Sequence, residues 1–350
     1  MLAIICRRLS SEFDMEVICD GQGDVPSRLV AAGVKVHTLR LTTKWSFTAQ
    51  IPRLAATIRA LKPDLVQLHG QFAGSLGQLA LQLAGRPKSL YTVQWPSYLD
   101  DIGPWSRFRN QAAELVSCGP ATAVVTVSDH DRREFIQRGL AKPEKITVIH
   151  NAYSIQIDEM ADAPEPPNHE VIGFVGRLAD QKGVEFLIHA APSVLATHPQ
   201  AKFLIVGDGP DRPMLESLVR ELGVAQSVEF AGYQAEPSPL IERMDVVVIP
   251  SIYDPFPLVT LEVMALGRAI VGSAVGGIPE AVEDGRTGVL VPPRDPAAIA
   301  AALVRLLDDP QLLARMGAAG KQRARREFSP GTITAQYAAL YRRLLATAVS

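Results

Sequence analysis

Short apolar segments alternate with helix-like segments along most of this 350-residue chain. In the first half the apolar segments read MEVIC, VKVHTL, DLVQLH, KSLYTV, ATAVVTVS and KITVIHN. In the second half they read VIGFVG, KFLIVG, SVEFAG, MDVVVIP, AIVGSA and GVLVP. Segments that are apolar throughout, with stretches such as IPRLAATIRALK between them, predict parallel strands that are buried on both faces. The alternation therefore predicts an α/β protein with Rossmann-like sheets.

One segment interrupts this alternation and predicts a boundary between two domains. Residues 155–170 read IQIDEMADAPEPPNHE, with three prolines and five acidic residues, a composition typical of a linker. We expect a first domain over 1–152, a linker over 153–170 and a second domain over 171–330. Two α/β domains joined in this way would leave a cleft between the carboxyl ends of their strands, where such sheets bind ligands.

Charge and cysteine content exclude several classes of protein. The chain carries 35 basic and 37 acidic residues, a formal charge of −2, which gives no electrostatic reason to expect nucleic acid as a partner. Its three cysteines (Cys6, Cys19 and Cys118) are scattered, so neither a disulfide framework nor a zinc site is indicated. A reducing, cytoplasmic setting fits best. No apolar run approaches the ~18 residues of a membrane span.

The segment SIYDPFPLVTLEVMA, residues 251–265, carries two acids across a predicted strand-to-helix turn. Pro257 is expected at the first helical position, where its missing N–H has no consequence. The N–H groups of Leu258 and Val259 would then suit a diphosphate. Asp254 and Glu262 would flank that anion as acceptors for hydroxyl groups, one on each side. A nucleotide-sugar has this arrangement of ribose, diphosphate and sugar.

Three further turns rich in glycine each follow a predicted strand. In GFVGRLADQKGVEFLI, Arg177 and Lys182 precede a helix expected near Val184, and cations beside a helix N-terminus favour phosphate. Two solvated basic residues are the alternative. In FLIVGDGPDRPML, Arg212 stands where a dinucleotide motif has its third glycine, so a nicotinamide site is weakly indicated. The segment GSAVGGIPEAVEDGRTGVLV also fits a plain tight turn before a helix.

Taken together and in this order, the four motifs resemble the group 1 (family 4) retaining glycosyltransferases, which have the GT-B fold. The resemblance is strong over residues 120–300, with weaker matches earlier at KPDLVQLHG and VSD, and at VIHNA. It implies two Rossmann-like domains facing across a cleft, with a final helix (331–350) crossing back to the first. It also implies a UDP-linked sugar donor, retention of anomeric configuration and no cofactor. No metal is expected, since Arg177, Lys182 and the helix N-terminus can take the charge of the leaving diphosphate, and the sequence shows no well-placed side-chain nucleophile. The donor's own phosphate oxygen would assist deprotonation of the acceptor.

The resemblance also assigns roles to individual residues. The donor site would contain Gly176, Arg177, Lys182, Gly207, Pro257, Leu258, Val259 and Glu262. Arg177 and Lys182 would hold the diphosphate and Glu262 the ribose hydroxyls, while Asp254 stands where the family usually has Glu and would contact the transferred sugar. His69 would join Arg177, Lys182 and Asp254 as a catalytic residue. Gln94 and Trp95 would lie on the acceptor side, although Gln94 stands where the family often has a proton-exchanging histidine.

Other features of the sequence leave alternatives open. His69 could equally be a packed structural residue. The SDHD segment (128–131) contains an Asp-x-Asp pattern, but Ser128 three residues before Asp131 favours a helix N-cap over a metal site. The segment 95–110 interleaves aromatic residues with arginines, which fits an acceptor site, peripheral contact with a membrane, or a packed loop. The acceptor could be a glycan, a lipid-linked molecule or a small molecule. A nucleotide-sugar epimerase and a non-catalytic homologue are the alternative functions.

The first residues predict an incomplete first domain. Leu2, Ile5, Cys6 and Leu9 have helical spacing, and the first strand is MEVIC, whereas the family begins with a strand and a Gly-rich loop. That strand is central in a doubly wound sheet, so its absence would leave its neighbours about 9–10 Å apart. We expect a misplaced start or a truncated gene, with a β-rich run and a glycine cluster encoded upstream.

Overall fold

The computed structural model describes residues 1–23, 25–39, 47–96, 103–155 and 170–346. The chain forms two compact units, which are treated separately below. Unit 1 comprises Met1–Asn151 together with Pro330–Ser350, and unit 2 comprises Ala152–Ser329. Most of the predicted linker, residues 156–169, lies outside the described residues. Every strand pairing within the two units is parallel, which confirms the predicted α/β class.

Unit 1 alternates strands with helices and ends with the last helix of the chain. Its strands are β1 (Glu16–Cys19), β2 (Lys35–Thr38), β3 (Leu65–His69), β4 (Lys88–Thr92), β5 (Ala123–Thr126) and β6 (Ile146–Val148). Its helices are α1 (Leu2–Leu9), α2 (Val25–Ala31), α3 (Phe47–Leu61), α4 (Gly70–Leu83), α5 (Pro104–Cys118), α6 (Asp129–Gln137) and α14 (Pro330–Ala346). The predicted helix at the start of the chain is confirmed: Ile5, Cys6 and Leu9 form its buried face.

The strands of unit 1 form two sheets. Among the described residues, one has the order β3-β4-β5-β6, and the other consists of β1 and β2. Ile18 of β1 nevertheless packs against the core cluster that lies on β3–β5. On the described strands, β3 has a single paired neighbour, and no pairing joins it to β1. The last helix, α14, packs on α1 and β3, and the Tyr341 hydroxyl donates to the Gln67 side-chain oxygen on β3.

Unit 2 is built on a six-stranded, doubly wound parallel sheet. Its strands are β7 (Val171–Val175), β8 (Lys202–Val206), β9 (Val228–Gly232), β10 (Val246–Ile249), β11 (Ala269–Ser273) and β12 (Val289–Val291). Its helices are α7 (Val184–Thr197), α8 (Arg212–Glu221), α9 (Ser238–Ile241), α10 (Leu258–Ala265), α11 (Ile278–Ala281), α12 (Pro296–Leu307) and α13 (Pro310–Glu327). The strand order is β12-β11-β10-β7-β8-β9, so the direction of winding reverses between β7 and β10.

The central strands of unit 2 are buried because apolar side chains occupy both of their faces. All four residues of β10 and all five residues of β11 are buried. Helix α7 packs on one side of this sheet through Leu187, Ile188 and Val194, which belong to one continuous core cluster. This burial explains why the strands are recognisable in the sequence as uninterrupted apolar runs.

A carboxyl group is buried beside the sheet of unit 1. Glu114 on α5 is fully buried, and the Tyr91 hydroxyl on β4 donates to its Oε2 over 2.8 Å. Helices α4 and α5 approach closely here, since a Cβ at Gly74 would lie 2.7 Å from the Ser117 Oγ. Burial raises the pKa of Glu114 to about 7, with the Tyr91 hydrogen bond opposing that rise and nearby Asp131 adding to it.

No helix in the described part of the chain is both long enough and apolar enough to cross a bilayer.

Candidate active site

The predicted donor-binding residues of unit 2 gather at the carboxyl ends of β7, β8 and β10. Strands β7 and β10 are hydrogen-bonded neighbours, with Ile172 opposite Val246. They flank the point at which the winding direction of the sheet reverses, and doubly wound sheets bind ligands outside the carboxyl ends of the strands at this point. The site therefore lies where the topology alone would place a ligand.

The loop after β7 carries both predicted cations. Arg177 lies two residues beyond the strand and is exposed. Lys182 closes a short 3₁₀ turn (Asp180–Lys182), and Gly183 with φ of 62° leads directly into α7 at Val184, the predicted helix start. The first N–H groups of α7 lack acceptors within their own helix, so both cations lie within a few residues of a helix N-terminus that itself favours anions.

Lys182 and Asp254 contact each other in the structure. The Lys182 Nζ donates to the Asp254 Oδ2 across 72 residues of sequence. Asp254 is only 3 % exposed, and a buried carboxylate requires a partner of opposite charge. The sequence assigned these side chains separately to the diphosphate and to the sugar; the structure instead shows them as one ion pair at the site. Their roles toward a ligand stay predictions.

Helix α10 begins at Leu258, and Pro257 does not occupy the first helical position that the sequence predicted for it. Pro257 has φ of −67° and ψ of 127°, so its backbone is extended and it is the N-cap residue, not the first helical residue. The first two helical residues are Leu258, which is exposed, and Val259, which is half-buried. Their N–H groups precede the first intrahelical hydrogen bonds and remain suited to an anion. The correction therefore leaves the predicted donors in place.

Glu262 lies one turn into α10 and has a partner that the sequence did not reveal. The Ser154 hydroxyl donates to the Glu262 Oε1 over 2.5 Å, and both residues belong to unit 2. Burial raises the pKa of Glu262, and the Ser154 hydrogen bond opposes that rise. Ser154 lies at the start of the segment predicted as a linker (153–170), and its hydroxyl is the one sequence signal that could have identified it as a partner.

Two glycines of the site allow neighbouring loops to approach. A Cβ on Gly207, after β8, would lie 1.8 Å from the Gly176 carbonyl oxygen. A Cβ on Gly276, whose φ is 53°, would lie 1.9 Å from the Asp254 carbonyl oxygen. The Gly277 N–H also donates to that Asp254 oxygen over 3.0 Å. The turn at Gly276 is therefore more than a helix start, because it supports the backbone that presents Asp254.

Unit 1 contains the remaining predicted residues. His69 ends β3 and is the N-cap residue of α4; its Nε2 is buried with no hydrogen-bond partner among the described residues. Burial lowers the pKa of His69 to about 4, so the ring is neutral near pH 7. Gln94 follows β4, and its Nε2 is likewise buried without a described partner, while Trp95 is half-buried. Their catalytic and acceptor-side roles stay predictions.

The SDHD segment forms a helix cap. Ser128 is the N-cap residue of α6, and its Oγ accepts from the Asp131 N–H over 3.1 Å. This bond explains the Ser-x-x-Asp spacing without a ligand. Within the described ranges, no group of three or more His, Cys, Asp or Glu residues could hold a metal ion.

Comparison with solved structures establishes the fold. The structure superposes on HepE from Anabaena, solved in complex with UDP-glucose, with a TM-score of 0.84 at 24% identity, covering 98% of this chain and 94% of that chain. At that identity the likeness establishes the fold alone, which is the GT-B fold of glycosyltransferases.

Sequence comparison then places the chain in a family. Residues 3–152 match the model of the glycosyl transferase 4-like domain, and residues 169–309 match that of glycosyl transferases group 1. An uncharacterized glycosyltransferase of Methanocaldococcus jannaschii is 36% identical over 339 residues, covering 88% of this chain and 85% of that protein. Alpha-D-kanosaminyltransferase of Streptomyces kanamyceticus is 31% identical over 276 residues, covering 73% and 69%. The chain belongs to the group 1 glycosyltransferases and is a transferase enzyme.

Proposed function

We propose that the chain transfers a sugar from a UDP-linked donor to an acceptor hydroxyl, with retention of configuration and without a metal ion. The acceptor is a glycan, a lipid-linked molecule or a small molecule, and the reaction takes place in the cytoplasm during glycan or glycolipid synthesis. The observation that carries the proposal is the convergence of Lys182, Arg177 and the start of α10 at the β7–β10 switch point of unit 2.

Charge supports the choice of a diphosphate. The transfer leaves a nucleoside diphosphate, and its developing negative charge requires fixed donors. The ammonium of Lys182, the guanidinium of Arg177 and the N–H groups of Leu258 and Val259 supply such donors. These groups replace the charge that a divalent cation would otherwise provide, which is why we propose a metal-independent reaction. The structures of HepE with UDP and with UDP-glucose support uridine as the nucleoside of the donor.

The two acids bind the two parts of the donor on either side of the diphosphate. Glu262, one turn behind the helix start, accepts hydrogen bonds from the ribose hydroxyls in place of the Ser154 hydroxyl. Asp254, held by Lys182, accepts from hydroxyls of the transferred sugar. Since no side-chain nucleophile is predicted at the site, the acceptor oxygen bonds to the anomeric carbon as the bond to phosphate breaks. The acceptor proton passes to the departing phosphate oxygen. The acceptor bonds to the anomeric carbon on the face that the phosphate leaves, so the anomeric configuration is retained.

The proposal is tested by incubating the purified full chain with a panel of UDP-sugars and following release of UDP, with and without a chelator. We expect release from at least one UDP-sugar at a rate unaffected by the chelator. The anomer first liberated, read by NMR before mutarotation, should match that of the donor. Binding of UDP without any turnover would instead favour the non-catalytic homologue, and loss of activity with the chelator would contradict metal independence.

Replacing Glu262 by glutamine is expected to weaken UDP binding by roughly 1.5–3 kcal/mol, because a hydrogen bond to a charged acceptor is lost. Titration calorimetry with UDP alone measures the effect, since the proposed contact is to the ribose. Glu221→Gln, at an exposed glutamate on α8 of the same unit, is the matched control and should leave binding unchanged. A loss seen only with the intact UDP-sugar would mean that Glu262 contacts the sugar and that the roles of the two acids are exchanged.

A further inference from the structure

Exposed apolar side chains are concentrated on two neighbouring helices of unit 1. Of the thirteen large hydrophobic residues that are exposed in the described part of the chain, seven lie on α4 and α5. We call these seven the apolar face: Phe72, Leu79, Leu83, Trp105, Phe108, Leu115 and Val116. Trp105 and Phe108 are 75 % and 64 % exposed, and their rings stack with centroids 5.9 Å apart. The packed-loop alternative for 95–110 is wrong at these two positions.

Helix geometry makes the seven side chains one surface. On α5, Trp105, Phe108 and Leu115 are spaced by three and seven residues, which places them on one stripe. On α4, Leu79 and Leu83 follow Phe72 with the same periodicity. The two helices pack on each other, and the Gln71 side chain on α4 donates to the Asn110 carbonyl on α5 over 2.8 Å. Because both follow consecutive strands of one parallel sheet, right-handed crossovers place them on the same face of it.

The exposed charged side chains on the helices around this face are all cationic in the described residues. Helices α3, α4 and α5 carry four arginines and a single acid, Glu114, which is buried. Two of the arginines, Arg107 and Arg109, flank Phe108 and are exposed. Neither forms an ion pair with an acidic side chain in the described ranges. Two more acids of the sequence, Asp100 and Asp101, lie outside the described residues.

We propose that the apolar face docks unit 1 onto an anionic lipid bilayer. Aromatic side chains such as Trp105 and Phe108 are favourable at the headgroup level, and exposed arginines beside them attract lipid phosphates. Since no described helix can cross a bilayer, the contact is interfacial. The charges also argue against a second copy of the chain as the partner. A two-fold interface would place the arginines of this face against the same arginines of the second copy. These helices have no exposed acid in the described residues that would neutralise them.

Flotation of the full chain with lipid vesicles tests the proposal without any sugar donor, so its outcome is independent of the proposed function. We expect binding to vesicles of equal parts phosphatidylcholine and phosphatidylglycerol, weakened by added salt, and little binding to pure phosphatidylcholine. The W105S/F108S variant should bind at least about tenfold more weakly, because it loses the inserted aromatic area. The R107Q/R109Q variant should lose on the order of tenfold for the mixed vesicles.

Matched controls lie on unit 2. Tyr233→Ser removes an aromatic ring that is also 75 % exposed, and R220Q/R243Q removes two exposed arginines; both variants should bind vesicles like the wild type. The altered residues are all exposed, and unchanged thermal unfolding would show that the variants fold. Equal binding by W105S/F108S and the wild type, or no vesicle binding by the wild type, would overturn the proposal. So would a dimer in solution that dissociates in W105S/F108S.

Discussion

Replacing Lys182 by alanine should lower the rate of sugar transfer by about 10²–10³, the effect of losing one preorganised donor to developing charge. The ammonium has two tasks in the proposed site. It neutralises the departing diphosphate, and it is the partner of Asp254, which is buried. Removing it therefore weakens charge stabilisation in the transition state and takes an ammonium donor away from a buried carboxylate. Steady-state kinetics of UDP release measures the change, which should be mainly in kcat.

Two comparisons separate catalysis from folding in this experiment. Lys202→Ala alters a lysine of the same unit that is exposed at the opposite end of the sheet, at the start of β8. That variant should retain the wild-type rate. The double variant Lys182→Ala/Asp254→Asn removes both charges of the pair, so it should recover stability that Lys182→Ala loses, yet remain inactive. A rate for Lys182→Ala within twofold of the wild type would show that Lys182 does not bind the diphosphate.

The strands and the positions of the ligand-binding turns follow from local sequence. The β10 run VVVI is buried on both faces, so its hydrophobicity is continuous and easily recognised. Glycines after β7, β8 and β11 mark turns, and a helix beginning at Val184 follows from the residues around it. Such features depend on neighbours in the chain, and the sequence therefore predicts them without knowledge of the tertiary structure.

The contacts that complete the site depend on tertiary structure. The Lys182–Asp254 pair and the Ser154–Glu262 hydrogen bond join residues 72 and 108 positions apart, and no local pattern encodes such separations. Position 207 also requires glycine for a tertiary reason, because the Gly176 carbonyl oxygen leaves no room for a Cβ there. At Pro257 the sequence correctly predicted a turn before a helix. It did not predict the ψ angle of Pro257, which makes this residue the N-cap and not the first helical residue.

Glu114 belongs to the same class of features that the sequence conceals. Within PWSRFRNQAAELVSC it is an ordinary helical glutamate, and its burial comes from the packing of α5 on α4 and from the contact with Tyr91 of β4. In the unfolded chain its pKa is near 4.5, while burial in the native state raises the pKa to about 7. Between these values the native state binds more protons than the unfolded state, so stability falls as the pH rises. Above pH 7 a buried charge remains, hydrogen-bonded to Tyr91.

Glu114→Gln should therefore stabilise the protein by about 3 kcal/mol above pH 8, since the amide keeps an acceptor for Tyr91 but carries no charge. The gain should shrink as the pH falls through 7 and vanish below about 4.5, where both states of the wild type hold the proton. Urea unfolding of both proteins across this pH range measures the difference between their free energies of unfolding. The titration of all other groups contributes equally to both proteins and cancels in that difference. Glu144→Gln, at an exposed glutamate of the same unit, should give a small change at every pH. A Glu114→Gln effect that did not vary with pH would show that the carboxyl is ionised without cost, and hence that water reaches it in the folded protein.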